Sequence, residues 1–214
     1  MPTESKPKFR RRSEARPDEI LDAALALFVR QGFAQTKVDQ IAAEAGLSKG
    51  AVYLYFPSKE ALLEGLVRRA VAPVAETVVA ELSHAEGHPR EAILKVTEAI
   101  KAAMGNEKTM AVPMLVVREA PSVPSISRIY REAVLMRVLP ALASLIERGI
   151  ERGHIRSVDP EMTVRTLVGP LVAHVILAKV FGIVPARGLA LDQLITNHLD
   201  IVFRGLAPDH GGAS

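Results

Sequence analysis

Residues 36–63 read TKVDQIAAEAGLSKGAVYLYFPSKEALL, and this stretch decides the fold. Val38, Ile41, Ala42 and Ala45 recur at helical spacing, which gives a short helix from about Lys37 to Ala45 one apolar face. Thr36 stands where an N-cap is wanted, and Asp39 three residues on resembles the second half of a capping box. Gly46 tolerates the left-handed conformation that ends a helix, and Leu47 is placed to fold back onto it. Ser48 then caps a third helix, Lys49 to Tyr55, whose inward anchors are Val52 and Phe56, four apart. Pro57 breaks that helix, and Ser58 caps a fourth that opens Lys59-Glu-Ala-Leu-Leu. Two short helices across a tight turn present the second one outward, as a helix-turn-helix does toward a major groove. Spacing alone also suits a plain helical hairpin with surface tyrosines.

The flanking sequence is helical throughout. Ile20, Ala23, Ala24, Leu27 and Phe28 make one apolar face of a first helix, with Pro17 in its first turn and Gly32 as its stop. Asp18 and Glu19 complement the positive end of its dipole. Further periodic segments lie at about Pro89–Met104, Glu107–Val117, Ser125–Arg152, Pro160–Phe181 and Leu189–Leu206, and no run reads as a strand. A long helix from Ser58, bent at Pro73, is expected to connect the early and later parts. The expected architecture is all-α: a basic arm over 1–16, a three-helix helix-turn-helix domain over 17–63, a larger helical bundle over 64–206, and a frayed tail over 207–214.

Composition narrows the function classes. The 214 residues are 49% hydrophobic, enough for a substantial core, and contain no cysteine. Disulfides, thiolate zinc sites and a cysteine nucleophile are thereby excluded, which suits a cytoplasmic protein. Met1-Pro-Thr-Glu-Ser-Lys has no apolar stretch, and Arg10-Arg-Arg is not followed by one, so neither leader type is expected. The net charge of +3 divides into +4 over residues 1–16 and −1 over the rest, the pattern of a basic arm on a neutral body. No phosphate loop, Gly-x-Ser-x-Gly elbow or His-Glu-x-x-His occurs, so an enzyme and a cofactor are not expected. His84 and His88 are four apart but straddle Gly87, a poor metal frame. Leu167–Val184 is apolar enough to suggest a membrane span, yet Pro170, His174 and Lys179 interrupt it. A central lysine alone costs roughly 2.5–3.5 kcal/mol on insertion scales, so a helix covered by protein is the expectation and a membrane partner is not.

The exposed chemistry of the third helix fits nucleic acid. Ser48, Lys49, Gly50 and Ala51 are small or flexible enough to let the backbone approach phosphates. Tyr53, Tyr55 and Lys59 can each donate to a phosphate oxygen, Lys49 suits a guanine edge, and Ala51 suits a thymine methyl. At this point the chain resembles the DNA-binding domain of the TetR/AcrR family of one-component regulators. The matching residues are Ile20-Leu-x-Ala-Ala-x-x-Leu-Phe, Gly32-Phe, Val38-x-x-Ile41-Ala42-x-x-Ala45-Gly46-Leu47-Ser48 and Tyr53-x-Tyr55-Phe56-x-Ser58-Lys59-Glu60-x-Leu62. The likeness runs over about Pro17 to Leu66. It implies DNA contacts at Thr36, Lys37, Ser48, Lys49, Gly50, Ala51, Tyr53, Tyr55 and Lys59. Many relatives carry a larger polar residue where Ala51 stands and a histidine or asparagine where Tyr55 stands, so DNA shape is expected to carry part of the specificity.

The later chain is similar to the family's ligand-binding and dimerisation domain in layout only. The resemblance implies a homodimer on palindromic operator DNA, formed through the last two long helices, and an unidentified small-molecule effector that relieves repression. The stripe Leu167, Leu171, His174, Val175 and Ala178, with a second of Leu191, Leu194, Ile195, His198, Leu199 and Val202, is the expected interface. Met104, Met110, Met114 and Leu115 are adaptable pocket residues, with Arg118, Tyr130 and His174 as polar ligand contacts; ordinary core methionines fit the same positions, and Arg118 equally suits a surface pair with Glu119 or Glu132. A helical ligand-binding adaptor that has lost DNA reading, or an activator, is the alternative function.

Overall fold

The computed structural model describes residues 8–104 and 107–208, with side chains described for 16–102 and 109–208. The described residues are all helix and turn: α1 (Lys8–Gln31), α2 (Val38–Glu44), α3 (Lys49–Tyr55), α4 (Lys59–Ala70), α5 (Ala72–Ser83), α6 (Pro89–Met104), α7 (Glu107–Glu119), α8 (Pro124–Tyr130), a π-helical turn (Arg131–Leu135), α9 (Met136–Glu151), α10 (Pro160–Lys179) and α11 (Leu191–Gly205). They form two compact units, one of residues up to Pro73 with Met104–Val134, the other of Val74–Ala103 with Leu135 onward. This grouping departs from the division expected at residue 63, because α7 and α8 pack on α1 and α4.

The first unit is built around α1. Ile20, Ala24 and Phe28 are fully buried along one face, as are Leu62, Leu63 and Leu66 of α4, Val112 of α7 and Ile126 of α8, where α4 and α7 pack on α1 and α8 packs on α4 and α7. Arg69 of α4 ties back to α1 through Asp18 (3.1 Å) and Asp22 (2.8 Å). The helix starts at Lys8, so residues 8–16 of the expected arm are helical and Pro17 lies inside α1 instead of in its first turn. Proline keeps a helical φ there and removes only one backbone hydrogen bond with its missing N–H. Residues 1–7 of the arm lie outside the described residues.

The helix expected from Ser58 onward stops at Ala70. Val71 closes it by donating its N–H to the Val67 carbonyl (2.9 Å), and α5 then begins with Pro73 in its first turn. Proline at that position cannot continue the α4 ladder, which is why the expected bend is an interruption.

In the second unit, Val78, Leu82, Ile93, Val96, Leu145, Ile146, Val164, Leu167, Ile195, Leu199 and Phe203 form one core. Arginines fasten its loops: Arg148 reaches the Leu82 carbonyl (2.6 Å), Arg152 that of Glu86 (2.6 Å) and Arg156 that of Gly205 (2.7 Å). Asp159 caps α10 as expected, its carboxylate accepting from the Met162 N–H at 2.9 Å. The expected helix Ser125–Arg152 is divided by the π turn, five residues before Pro140 clears the α9 ladder of one donor. Beyond Gly205, Ala207 and Pro208 are exposed; the rest of the expected tail lies outside the described residues.

Candidate nucleic-acid interface

The turn between α2 and α3 is fixed by its own backbone. Gly46 adopts φ +66° and donates to the Ala43 carbonyl (3.1 Å), while Leu47 donates to that of Ala42 (2.8 Å). These paired bonds are a Schellman closure, which requires the left-handed residue that glycine supplies at least strain. Ser48 then accepts from the Ala51 N–H at 3.2 Å and starts α3. The N-cap of α2 is Lys37, not Thr36: the Gln40 side chain accepts from the Lys37 N–H at 2.9 Å.

On α3, Val52 is fully buried beneath the helix, and Phe56 is half-buried just past its end. The rest of its surface is more open. Lys49 and Gly50 are exposed, Ala51 is half-buried, and Tyr53 and Tyr55 are 41% and 37% exposed. Lys49 holds Asp39 of α2 at 3.0 Å, and that hydrogen bond and charge raise its pKa above the ordinary lysine value. Sequence reasoning passed over Leu54, which is 85% exposed. At about 100° per residue it lies nearly opposite Val52, so counting around the helix from the buried valine would have found it.

Two expected contacts face inward. Thr36 is buried, donating its hydroxyl to the Gly32 carbonyl (2.7 Å) and accepting from Gln31 Nε2 (3.2 Å). Lys59 donates to the carbonyls of Phe33 (2.8 Å), Ala34 (3.2 Å) and Thr36 (3.1 Å). An ammonium has three protons, so none is left for a phosphate in this arrangement. Both residues shape the α1–α2 loop instead, while Lys37 remains exposed beside it.

The family model for bacterial regulatory proteins of the tetR family matches residues 20–66, and that for a tetracycline-repressor-like C-terminal domain matches 83–180. The chain belongs to the TetR family. Members of this family are DNA-binding regulators and not enzymes, and among the described residues no group of three or more potential ligands could hold a metal. This TetR-family chain is 52% identical over 46 residues to YerO, an uncharacterised helix-turn-helix-type transcriptional regulator of Bacillus subtilis. That match covers 22% of the chain and only 16% of YerO's length. The Bacillus subtilis fatty acid metabolism regulator is 25% identical over 138 residues, covering 64% of this chain and 70% of its own. The structure of SmeT, repressor of the Stenotrophomonas maltophilia efflux pump SmeDEF, shares the fold at TM-score 0.72 and 22% identity, covering 91% of each chain.

The remaining expected sites of this TetR-family chain divide between its units. In the first, Leu115 is buried core, Met110 and Met114 are half-buried, and burial raises the Tyr130 hydroxyl pKa above its usual value. Arg118 is engaged with α1 and so does not orient a ligand in this arrangement. The Met104 side chain lies outside the described residues. In the second unit, the His174 ring bonds to the Leu189 carbonyl at 2.7 Å.

The expected interface stripes also turn inward. Leu167, Ile195 and Leu199 belong to the second unit's own core, with Leu171, Leu191 and Val202 packed against it. The His198 ring bonds to the Leu167 carbonyl at 3.0 Å. Val175, Ala178 and Leu194 are half-buried. The outward apolar set is Met162, Val172, Leu177, Val180, Phe181, Ile183, Val184 and Ile201. Helix α10 is apolar on both sides, and only 17% of its most hydrophobic window is buried within the chain.

Proposed function

We propose that this chain is a homodimeric transcriptional regulator that reads a palindromic operator through α3 and represses until a small-molecule effector binds. The observation that carries this reading is the α2–α3 arrangement. Val52 locks α3 inward, and its outer surface offers Gly50, Tyr53 and Leu54, with Lys49 exposed beside them in its ion pair to Asp39. Ser48, Ala51, Tyr55 and Lys37 complete the contact surface, and Thr36 and Lys59 support it from within. Phosphate contacts from Lys37 and the tyrosine hydroxyls fix register, and Lys49 and Leu54 meet base edges.

The dimer forms through the outward apolar face of α10, Ile201 of α11 and the segment 180–184. Burying that face against a second copy accounts for its hydrophobicity in a protein that works in the cytoplasm. The two recognition helices must then reach half-sites about 34–36 Å apart. An effector acts by binding more tightly to a dimer with a different separation. The fatty acid metabolism relative makes acyl compounds the first class to screen.

Selection of genomic fragments with the purified protein, followed by anisotropy across a salt series, tests the reading. A palindromic fragment bound specifically, with affinity falling steeply in salt, is expected. Weak, sequence-blind binding would overturn it.

A further inference from the structure

The carboxyl end of α7 grips the last turn of α1. Arg118 donates from Nη2 to the Phe28 carbonyl at 2.6 Å and from Nη1 to the Val29 carbonyl at 3.1 Å. Both carbonyls lie in the last turn of α1, where that of Phe28 also accepts from the Gly32 N–H at 3.0 Å, and a cation there faces the negative end of the dipole. From Nε, Arg118 holds Glu119 at 2.8 Å. The Glu119 carboxylate in turn lies against Gly32, 3.3 Å from where a Cβ would stand, and Gly32 has φ +88°.

From Gly32 the contacts continue into α2. The Gly32 carbonyl accepts from the Thr36 hydroxyl at 2.7 Å. Gln31 donates both to that hydroxyl (3.2 Å) and to Gln40 (2.9 Å), and Gln40 holds the N-cap of α2. Asp39, between them, carries the ion pair to Lys49 on α3. Contacts therefore lead from α7 to Gly32 and on through Thr36, Gln31 and Gln40 to the start of α2, and Asp39, beside Gln40 in sequence, joins α2 to the first residue of α3.

We propose that Arg118 and Glu119 are a positioning pair: they set the α1–α2 joint, so the placement of α7 is expressed as operator affinity. This rests on the operator-binding reading above. Arg118 acts through α1 and does not touch DNA. It is a mechanical input to the DNA reader where the sequence suggested a ligand contact. Met110 and Met114 stand on the same helix one to two turns earlier, so anything that displaces them displaces the grip.

The test uses full-length Arg118→Ala, Arg118→Lys and Glu119→Gln, with Arg137→Ala as control. Arg137 pairs with Glu76 at 3.3 Å in the other unit and is similarly exposed, so its loss removes the same charge without touching the joint. Arg118→Ala is expected to weaken operator binding about tenfold. Its salt slope should stay that of the parent, and amide exchange over residues 32–41 should quicken. Arg118→Lys should recover part of both effects, and Arg137→Ala should stay within about twofold of the parent. Equal behaviour of Arg118→Ala and Arg137→Ala would overturn the proposal. So would a salt slope shallower by about one, which marks a direct phosphate contact. If Arg118→Ala fails to fold, Arg118→Lys and Glu119→Gln carry the same comparison. Sequence-blind binding by the parent would fail the operator reading, and the exchange pattern would then decide the positioning role by itself.

Discussion

Lys59 Nζ donates to the Phe33 carbonyl at 2.8 Å while standing 4.5 Å from the centroid of the Phe33 ring. One side chain thus satisfies the backbone and the π face of the same residue, and the carbonyls of Ala34 and Thr36 take its other protons. Lys59→Ala should cost about 2 kcal/mol, since three acceptors lose a charged donor. Differential scanning calorimetry should show this as a melting point lower by about 4–8 °C. A melting point unchanged within error, with operator binding lost, would instead make Lys59 a phosphate contact.

On the proposed operator reading, Asp39 competes with DNA for Lys49, which it holds at 3.0 Å. Asp39→Asn removes the competitor and a negative charge beside the reading face, so operator affinity should rise about threefold at low salt and the gain should shrink as salt screens it. Anisotropy at two ionic strengths reads both. Weaker binding by Asp39→Asn would show that the pair orients Lys49 for the operator.

Leu54 is too exposed to be explained by the fold, and the apolar group a major groove offers is the thymine methyl. Replacing single operator thymines with deoxyuridine removes only that methyl. At one position per half-site the parent should lose about fivefold, and Leu54→Ala should lose no more on the same substitution. Independent losses would place the leucine elsewhere.

A pH effect is expected in the second unit. His88 stacks on His154 at 5.3 Å between centroids and leans on Phe203 at 5.7 Å. Burial, followed by the His154 ring, lowers the His88 pKa below the ordinary histidine value. Glu91 opposes the shift and Arg90 adds to it. The unfolded chain therefore binds the proton more readily than the folded one, so stability is full above about pH 6.5 and falls as acid protonates His88. Melting points at pH 7.5 and 5.5 should differ less in His88→Gln than in the parent.

Val172 and Phe181 are outward on and just beyond α10, Phe181 at 66% exposure. The double substitution Val172→Glu, Phe181→Glu should turn a dimer into a monomer in sedimentation experiments, with operator affinity lost by about a hundredfold or more. A persistent dimer would put the interface on another face.

The legible parts of this protein are those determined locally. Helix α3 has its expected bounds because Ser48, Gly46 and Pro57 act on their immediate neighbours. The backbone acceptors of Lys59 and Arg118 were not legible because they lie 23–26 and 89–90 residues back along the chain, and nothing local marks such pairs. Which side of α10 its own core takes was not legible, because a helix apolar on both sides does not mark it. Val172 and Leu167 are equally apolar in sequence, and only packing separates them.

The first unit is discontinuous, made of residues up to Pro73 and of Met104–Val134. On the ribosome, α1 and α4 emerge well before Val112, Leu115, Ile126 and Ile129 arrive to cover them. The DNA reader is therefore finished late, after α5 and α6 of the other unit have already been made. A nascent chain that stops before residue 134 would expose the recognition helix on an incomplete support.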